Sequence, residues 1–226
     1  MRVLAIDTAL DACSAAALDT ENALALHESI PMQRGHAEAL MPLIARLLDR
    51  SGLEARDFDR IAVTTGPGSF TGLRVGIAAA RGIALATGKP AVGLTTLAAF
   101  AAPLIAENDT LPVVVAIDAR HDHVYYQAFG AGGRTVVTPR ILPIRQALHL
   151  SAAGSPRITG TAAEKLASLW PSANPQPILV LQRAAVEIDW VARLGAAATD
   201  AGSAPRPFYL RAADAHPQEA ASLARR

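Results

Sequence analysis

Two carboxylates invite attention because they end near-identical runs: "VLAID" closes on Asp7 and "VVAID" on Asp118. Acids at the ends of such twin strands can hold magnesium and work on phosphate when adjoining glycine turns let backbone N–H groups reach the phosphate oxygens. The turns that follow here, "DTALDACS" and "DARHDHVY", carry no glycine, so both are poor phosphate cradles. Glycine is concentrated instead in "TTGPGSFTGLRVGIAAARGIALATG", residues 64–88. A P-loop needs G-x-x-x-x-G-K-[ST]; here Thr71 follows Gly66 by five residues and Leu73 follows Gly72, so the lysine that neutralises the outer phosphates is missing. The dinucleotide pattern G-x-G-x-x-G fails too, because Thr71 stands at its last glycine.

Two further groups could carry chemistry. "DARHDH" gathers Asp118, His121, Asp122 and His123, but their placing at a hairpin turn, with no further His or Cys nearby in sequence, reads as a solvated turn rather than a metal site. Ser69 lacks an identifiable base, which a serine nucleophile requires. His36 and Glu38, just before a helical pattern, read as capping groups.

The elements that must position these residues follow from the periodicity. "RVLAID" (2–7), "CSAAALD" (13–19) and "ALALHES" (23–29) read as an antiparallel meander. "HAEALMPLIARLLDRSG" has Leu40, Met41, Ile44, Leu47 and Leu48 at helical spacing before Gly52, with Pro42 near its start. A strand at 60–65, a helix at 71–88, a short strand "AVGL" and a helix at 95–106 come next. The pattern then restarts with strands at 112–119 and 124–130, a third over "RTVVTPRIL", and a helix near 184–201. This repetition predicts two related lobes, residues 1–106 and 107–226. In the second helix Gly72, Gly76, Ala80, Ala84 and Gly88 form one row of small residues, and Ala78, Gly82 and Ala86 another. Either row permits close approach of a packing partner, inside the domain or on a second chain.

A chain of 226 residues with 51% hydrophobic content can bury a full core. With 21 basic and 20 acidic residues, its net charge of +1 gives no chain-wide attraction to nucleic acid or an acidic membrane. The single cysteine, Cys13, excludes an internal disulfide and a cysteine-rich zinc site and suits a reducing cytosol. "MRVLAID" is too short for a signal-peptide core and "LTTLAAFAAPLIA" for a membrane span, so the expectation is a soluble cytoplasmic protein.

"AIDTALDACSAA", "HAEALMPLIARLL", "TGPGSFTGLRVGIAAARGIALATGKPAVGLTTLAAFA", "DARHDHVYY" and "FYLRAADAHPQ" together resemble the bacterial TsaB (YeaZ) family, with "GPGSFTGLRVG" as a specific signature. The resemblance implies an α/β, actin/hexokinase-like (ASKHA) fold of two related lobes, each with a mixed sheet and packed helices. It implies a non-catalytic scaffold and dimerisation subunit, with no cofactor, for the transfer of a threonylcarbamoyl group to N6 of adenosine 37 in tRNAs reading ANN codons. The partners implied are a TsaD-like catalytic subunit, a TsaE-like ATPase on the assembled pair, a second copy when the chain is alone, and tRNA only through the complex. In the catalytic paralogue a G-V-N-H-L-E-G-H segment supplies two metal-binding histidines; Thr96 and Phe100 stand at those positions here, so no metal is expected. The family's docking face, carried over, falls on Leu40, Ile44, Leu47, Gly72, Leu73, Gly76, Ile77 and Ala80. The alternative is an autonomous ATP-using kinase working through Asp7 and Asp118, or an M22-like peptidase. A stand-alone homodimeric interaction protein is a third reading.

Overall fold

In β1 (Arg2–Asp7) alternate side chains are apolar on both sides: Val3 and Ala5 enter one buried cluster, Leu4 and Ile6 another. A strand of this kind must be covered on both faces, which demands helices above and below its sheet. The same holds for β6 (Val113–Asp118), where Val113, Val115 and Ile117 face one way and Val114 and Ala116 the other. The computed structural model describes residues 1–22, 24–150, 154–199 and 203–210. The last residues of the predicted helix at 184–201 and the tail motif beyond Leu210 lie outside them.

β2 (Ala12–Asp19), β3 (Leu24–Pro31), β4 (Arg60–Gly66) and β5 (Ala91–Thr95) join β1 in a five-stranded sheet of order β3-β2-β1-β4-β5. β7 (His123–Phe129), β8 (Thr135–Pro143), β9 (Arg157–Gly160) and β10 (Leu179–Gln182) build a second around β6, of order β10-β9-β6-β7-β8. Read from β8, the second order repeats the first. The pairing senses agree as well: the meander strands are antiparallel in both sheets, and β1–β4, β4–β5, β6–β9 and β9–β10 are parallel. The echo between "VLAID" and "VVAID" is therefore an echo of whole sheets.

Helices α1 (His36–Ser51) and α2 (Phe70–Thr87) cover the outer face of the first sheet, and α4 (Ile144–Ala147) and α5 (Ala163–Ser168) that of the second. Between the sheets lie α3 (Thr96–Glu107) and α6 (Ile188–Ala197), whose Leu97, Phe100, Leu104, Ile188 and Val191 meet side chains of both sheets in one core. Pro42 sits inside α1 on its solvent side. α1 begins on Gly35 with no side-chain cap, which corrects the capping role expected for His36 and Glu38; the His36 ring nitrogen Nε2 instead lies 3.1 Å from the Leu10 carbonyl oxygen.

The central helices are anchored crosswise. Arg60, first in β4, donates from Nη1 to the carbonyls of Gly195 (2.7 Å) and Ala198 at the end of α6. Arg157, first in the corresponding strand β9, donates to the carbonyls of Leu104 (2.6 Å), Asn108 and Leu111 (3.0 Å) at the end of α3. Each guanidinium lies at the negative end of a helix; Arg60 meets carbonyls at the end of α6, and Arg157 shares the Leu104 carbonyl with the Asn108 N–H and takes those of Asn108 and Leu111 just beyond α3. So α6, from the second half of the chain, is held by the first sheet, and α3, from the first half, by the second. Replacing Arg157 by Met removes the donor to the Asn108 and Leu111 carbonyls and the second donor to Leu104, and we expect a loss on the order of 2 kcal/mol, read as a lower urea midpoint with an unchanged slope.

Candidate functional site

α2 starts on Ser69, whose Oγ accepts the Gly72 N–H at 3.3 Å. From there its small residues divide into two sides. Gly72, Leu73, Gly76, Ile77 and Ala80 are buried, as are Leu40, Ile44 and Leu47 of α1, packed with Leu4, Ile6, Ala15, Ala17 and Val63 of the sheet. The residues expected to form a docking face are thus the inward sides of both helices. The reason lies at Thr8. A Cβ at Gly72 would run into the Thr8 carbonyl oxygen and one at Gly76 into the Thr8 hydroxyl, which donates to the Gly72 carbonyl at 2.7 Å. These glycines let α2 lie directly on the end of β1.

The second row, Ala78, Gly82 and Ala86, faces outward, and nothing lies within 4 Å of a Cβ built on Gly82. Leu85 beside it is 86% exposed, and Met41 on the neighbouring α1 is 51% exposed. The outer surface of α1 and α2 therefore combines a strip without side-chain bulk with large apolar side chains open to solvent. The sequence carried a signal for the direction: Arg74 and Arg81 flank Ala78, whereas Leu73 and Ile77 flank Gly76.

A cleft of about 740 Å³ opens between the two sheets' strand ends, lined by Ala9–Asp11, residues 67–71, Asp118–Arg120 and residues 208–210. The twin carboxylates are unlike here. Asp7 is fully buried; its Oδ1 accepts from the Thr64 hydroxyl and from the Ala9 N–H at 3.2 Å, while Oδ2 has no partner. Burial pushes its carboxyl up to about 6, with the two hydrogen bonds opposing. Asp118 is exposed, accepting the Arg120 N–H at 3.0 Å.

Two N–H groups at this end of the cleft are already committed within the chain. Ala9 donates to Asp7, and Ser69 donates to the Ala9 carbonyl at 2.7 Å. Gly68 is pressed so closely on that carbonyl that a Cβ would collide with it. The glycine loop thus grips the neighbouring turn of its own chain, and the residues present do not fit a phosphate. Nor do those at the metal positions: Phe100 offers only carbon, and Thr96 is fully buried with its hydroxyl in the core between the sheets. The "DARHDH" turn is strained, with Arg120, His121 and Asp122 all left-handed (φ 62°, 49° and 56°), and Asp122 pairs with Lys165 at 2.8 Å. Among the described residues no group of three or more His, Cys, Asp or Glu is placed to share a metal ion.

Residues 30–198 match the family described as TsaD, tRNA N6-adenosine threonylcarbamoyltransferase. The structure of YeaZ from Pseudomonas aeruginosa superposes with a TM-score of 0.78 at 30% identity, covering 92% of this chain and 99% of that one. The chain belongs to the TsaB (YeaZ) family. It is 40% identical over 129 residues, 57% of its length, to the tRNA threonylcarbamoyladenosine biosynthesis protein TsaB of Escherichia coli K12, and the match spans 55% of that protein, about half its length. An inorganic polyphosphate/ATP-glucomannokinase from Arthrobacter has the same fold at a TM-score of 0.51 with 13% identity, covering 87% of this chain and 98% of that one. The TsaB-family chain is thus an α/β protein of the actin/hexokinase-like type. None of its described helices is long and apolar enough to cross a membrane.

Reading the sequence missed Asp7's unpartnered oxygen, which depends on the packing around it. Because burial holds the Asp7 carboxyl at about 6, above its ordinary 3.8, the neutral form of Asp7 is the one favoured by folding. Its contribution is full below pH 3.8 and is lost as pH rises through about 6. Urea melts from pH 4 to 8 should show Asp7→Asn gaining on the parent protein across that window by up to about 3 kcal/mol. A difference independent of pH would mean that Asp7 is not the titrating group.

Proposed function

We propose that this chain is a non-catalytic scaffold and dimerisation subunit of the machinery that transfers a threonylcarbamoyl group to N6 of adenosine 37 in tRNAs reading ANN codons. The observation that carries the reading is the outward face of α1 and α2, with its bare strip at Ala78, Gly82 and Ala86 beside exposed Leu85 and Met41. It suits a helix pair of similar shape, because close approach of two backbones needs positions without side-chain bulk. The occupants proposed are a TsaD-like catalytic subunit or, in its absence, a second copy of this chain. A TsaE-like ATPase joins the assembled pair, and tRNA is reached through the complex. This face belongs to the lobe spanning 1–106, with 107–226 as the C-terminal lobe; the setting is the cytoplasm.

The loss of catalysis is supported by the hydrogen-bond commitments of the loop. A kinase acting through Asp7 and Asp118 would need N–H groups that Asp7 and Ala9 already occupy, and an M22-like peptidase would need ligands that Thr96 and Phe100 do not provide. Calorimetry with magnesium-ATP on the isolated chain should register no binding in the low micromolar range; such binding would restore the kinase reading.

The docking reading is tested by contrast between the two rows. A leucine at Gly82 adds bulk to the open strip without touching the core and should weaken association with the catalytic paralogue, and with itself, by roughly five- to a hundredfold. Leucine at Gly76 instead presses on Thr8 and should lower thermal stability of the monomer. Sedimentation of each variant, followed by reconstitution of the tRNA modification with and without this chain, decides the matter. A folded Gly82→Leu protein with unchanged association and activity sinks the proposed face.

A further inference from the structure

The C-terminal segment 203–210 runs back over the start of α2, and its attachments are few and local. The Phe208 N–H donates to the Thr65 carbonyl at 2.7 Å. Gly66, at φ 122°, leaves room for the Phe208 carbonyl oxygen, which would lie 2.7 Å from a Cβ there, and Pro205 rests on Gly93. Tyr209 stacks on Phe70 with ring centroids 5.3 Å apart, and Arg74 lies 3.7 Å over the other ring while its Nε donates to the Tyr209 hydroxyl at 3.1 Å. The rings are wet: Phe70 is 39% and Tyr209 43% exposed.

Two consequences follow from this placement. Phe208, Tyr209 and Leu210 form one wall of the cleft, so the segment partly closes its mouth. None of residues 203–210 is among the fully buried members of the hydrophobic clusters; Leu210, half-buried, packs against the central one, and Pro205 is buried outside them. A segment tied by one backbone hydrogen bond, by Pro205 and Leu210 and by a solvent-exposed stack has fewer hydrogen bonds to break than the strands beneath it and opens at lower cost.

We propose that residues 203–210 are a displaceable strap over the cleft, latched by Tyr209 on Phe70 and Arg74. When it lifts, the cleft widens, the Thr65 carbonyl loses its donor, and the Phe70 ring and Arg74 guanidinium become free at the N-terminal end of α2. The strap is a property of the isolated chain and does not depend on what docks on α2.

Hydrogen exchange of the full chain, followed by mass spectrometry, tests this. The segment 203–210 should exchange at least about a hundredfold faster than β1 and β4, which open only with the whole fold. Tyr209→Ala should speed exchange in 203–210 and in residues 66–72 by about another tenfold, while leaving β6 and β7 unchanged. Arg74→Met should do the same, and the double variant should add little to either single change, since both remove one latch. Tyr209→Phe keeps the stack and loses only the hydroxyl acceptor, so it should fall between and serves if the alanine variant fails to fold. Exchange of 203–210 at the rate of β4 in the parent protein, or no acceleration in Arg74→Met and Tyr209→Phe, overturns the strap.

Discussion

Everything in this molecule depends on burying α3 and α6 between two sheets. α3 is buried over most of its surface and α6 along Ile188, Val191, Ala192 and Gly195, both meet side chains of the two sheets, and the carbonyls at their C-terminal ends need donors. The solution is an arginine at the start of the fourth strand of each sheet, and the two are exchanged: Arg60 holds the helix from the second half, Arg157 the helix from the first. Desolvating a guanidinium is costly, and it is tolerated because the carbonyls it meets are themselves in need of donors. The exchange also ties the halves together, so the two related sheets share one central core instead of owning one each.

With the inner face of the first sheet taken by α3 and α6, its outer face has to be covered by α1 and α2. How closely α2 can lie is set by Thr8, whose hydroxyl and carbonyl face Gly76 and Gly72. That contact fixes the rotation of the helix about its axis. Once the row Gly72–Gly76–Ala80 is turned inward, Ala78, Gly82 and Ala86 are left on the far side, about a quarter to a half turn away on a helix of 3.6 residues per turn. The glycine that looks like ligand chemistry in the sequence is thus spent on close packing inside the fold, and the surface that remains for a partner is its by-product.

Much of this was legible in the residues. The alternation in "RVLAID" and "VVVAID" and the repeated meander mark the two related sheets and most element positions, because strand and helix periods differ strongly. The direction of α2 is not set by spacing alone, since both rows are small; Arg74 and Arg81 mark its wet side. Arg60 and Arg157 gave no local sign at all. Their partners lie 135 and 53 residues away, at separations no periodic pattern reports. The same applies to Tyr209, whose ring meets Phe70 only after the chain has crossed both halves.

The asymmetry of the two strand-end acids is the last consequence of these contacts. Equivalent by sequence, Asp7 and Asp118 end equivalent strands, yet one is sealed in and the other is open. The difference arises on the first lobe alone, where the loop of residues 66–69 is drawn down onto the β1–β2 turn by the Ser69–Ala9 hydrogen bond and by Gly68 resting on the same carbonyl. That closure places Thr64 and the Ala9 amide on one oxygen of Asp7 and leaves its other oxygen facing the packed interior. A carboxylate in this position is of little use to a solvent-borne cation, but its neutral form fits well, and it holds the turn, the loop and the start of α2 in one arrangement. The loop's donors are turned on its own chain, and what that self-contact secures is the placement of the helix whose outer side stays open.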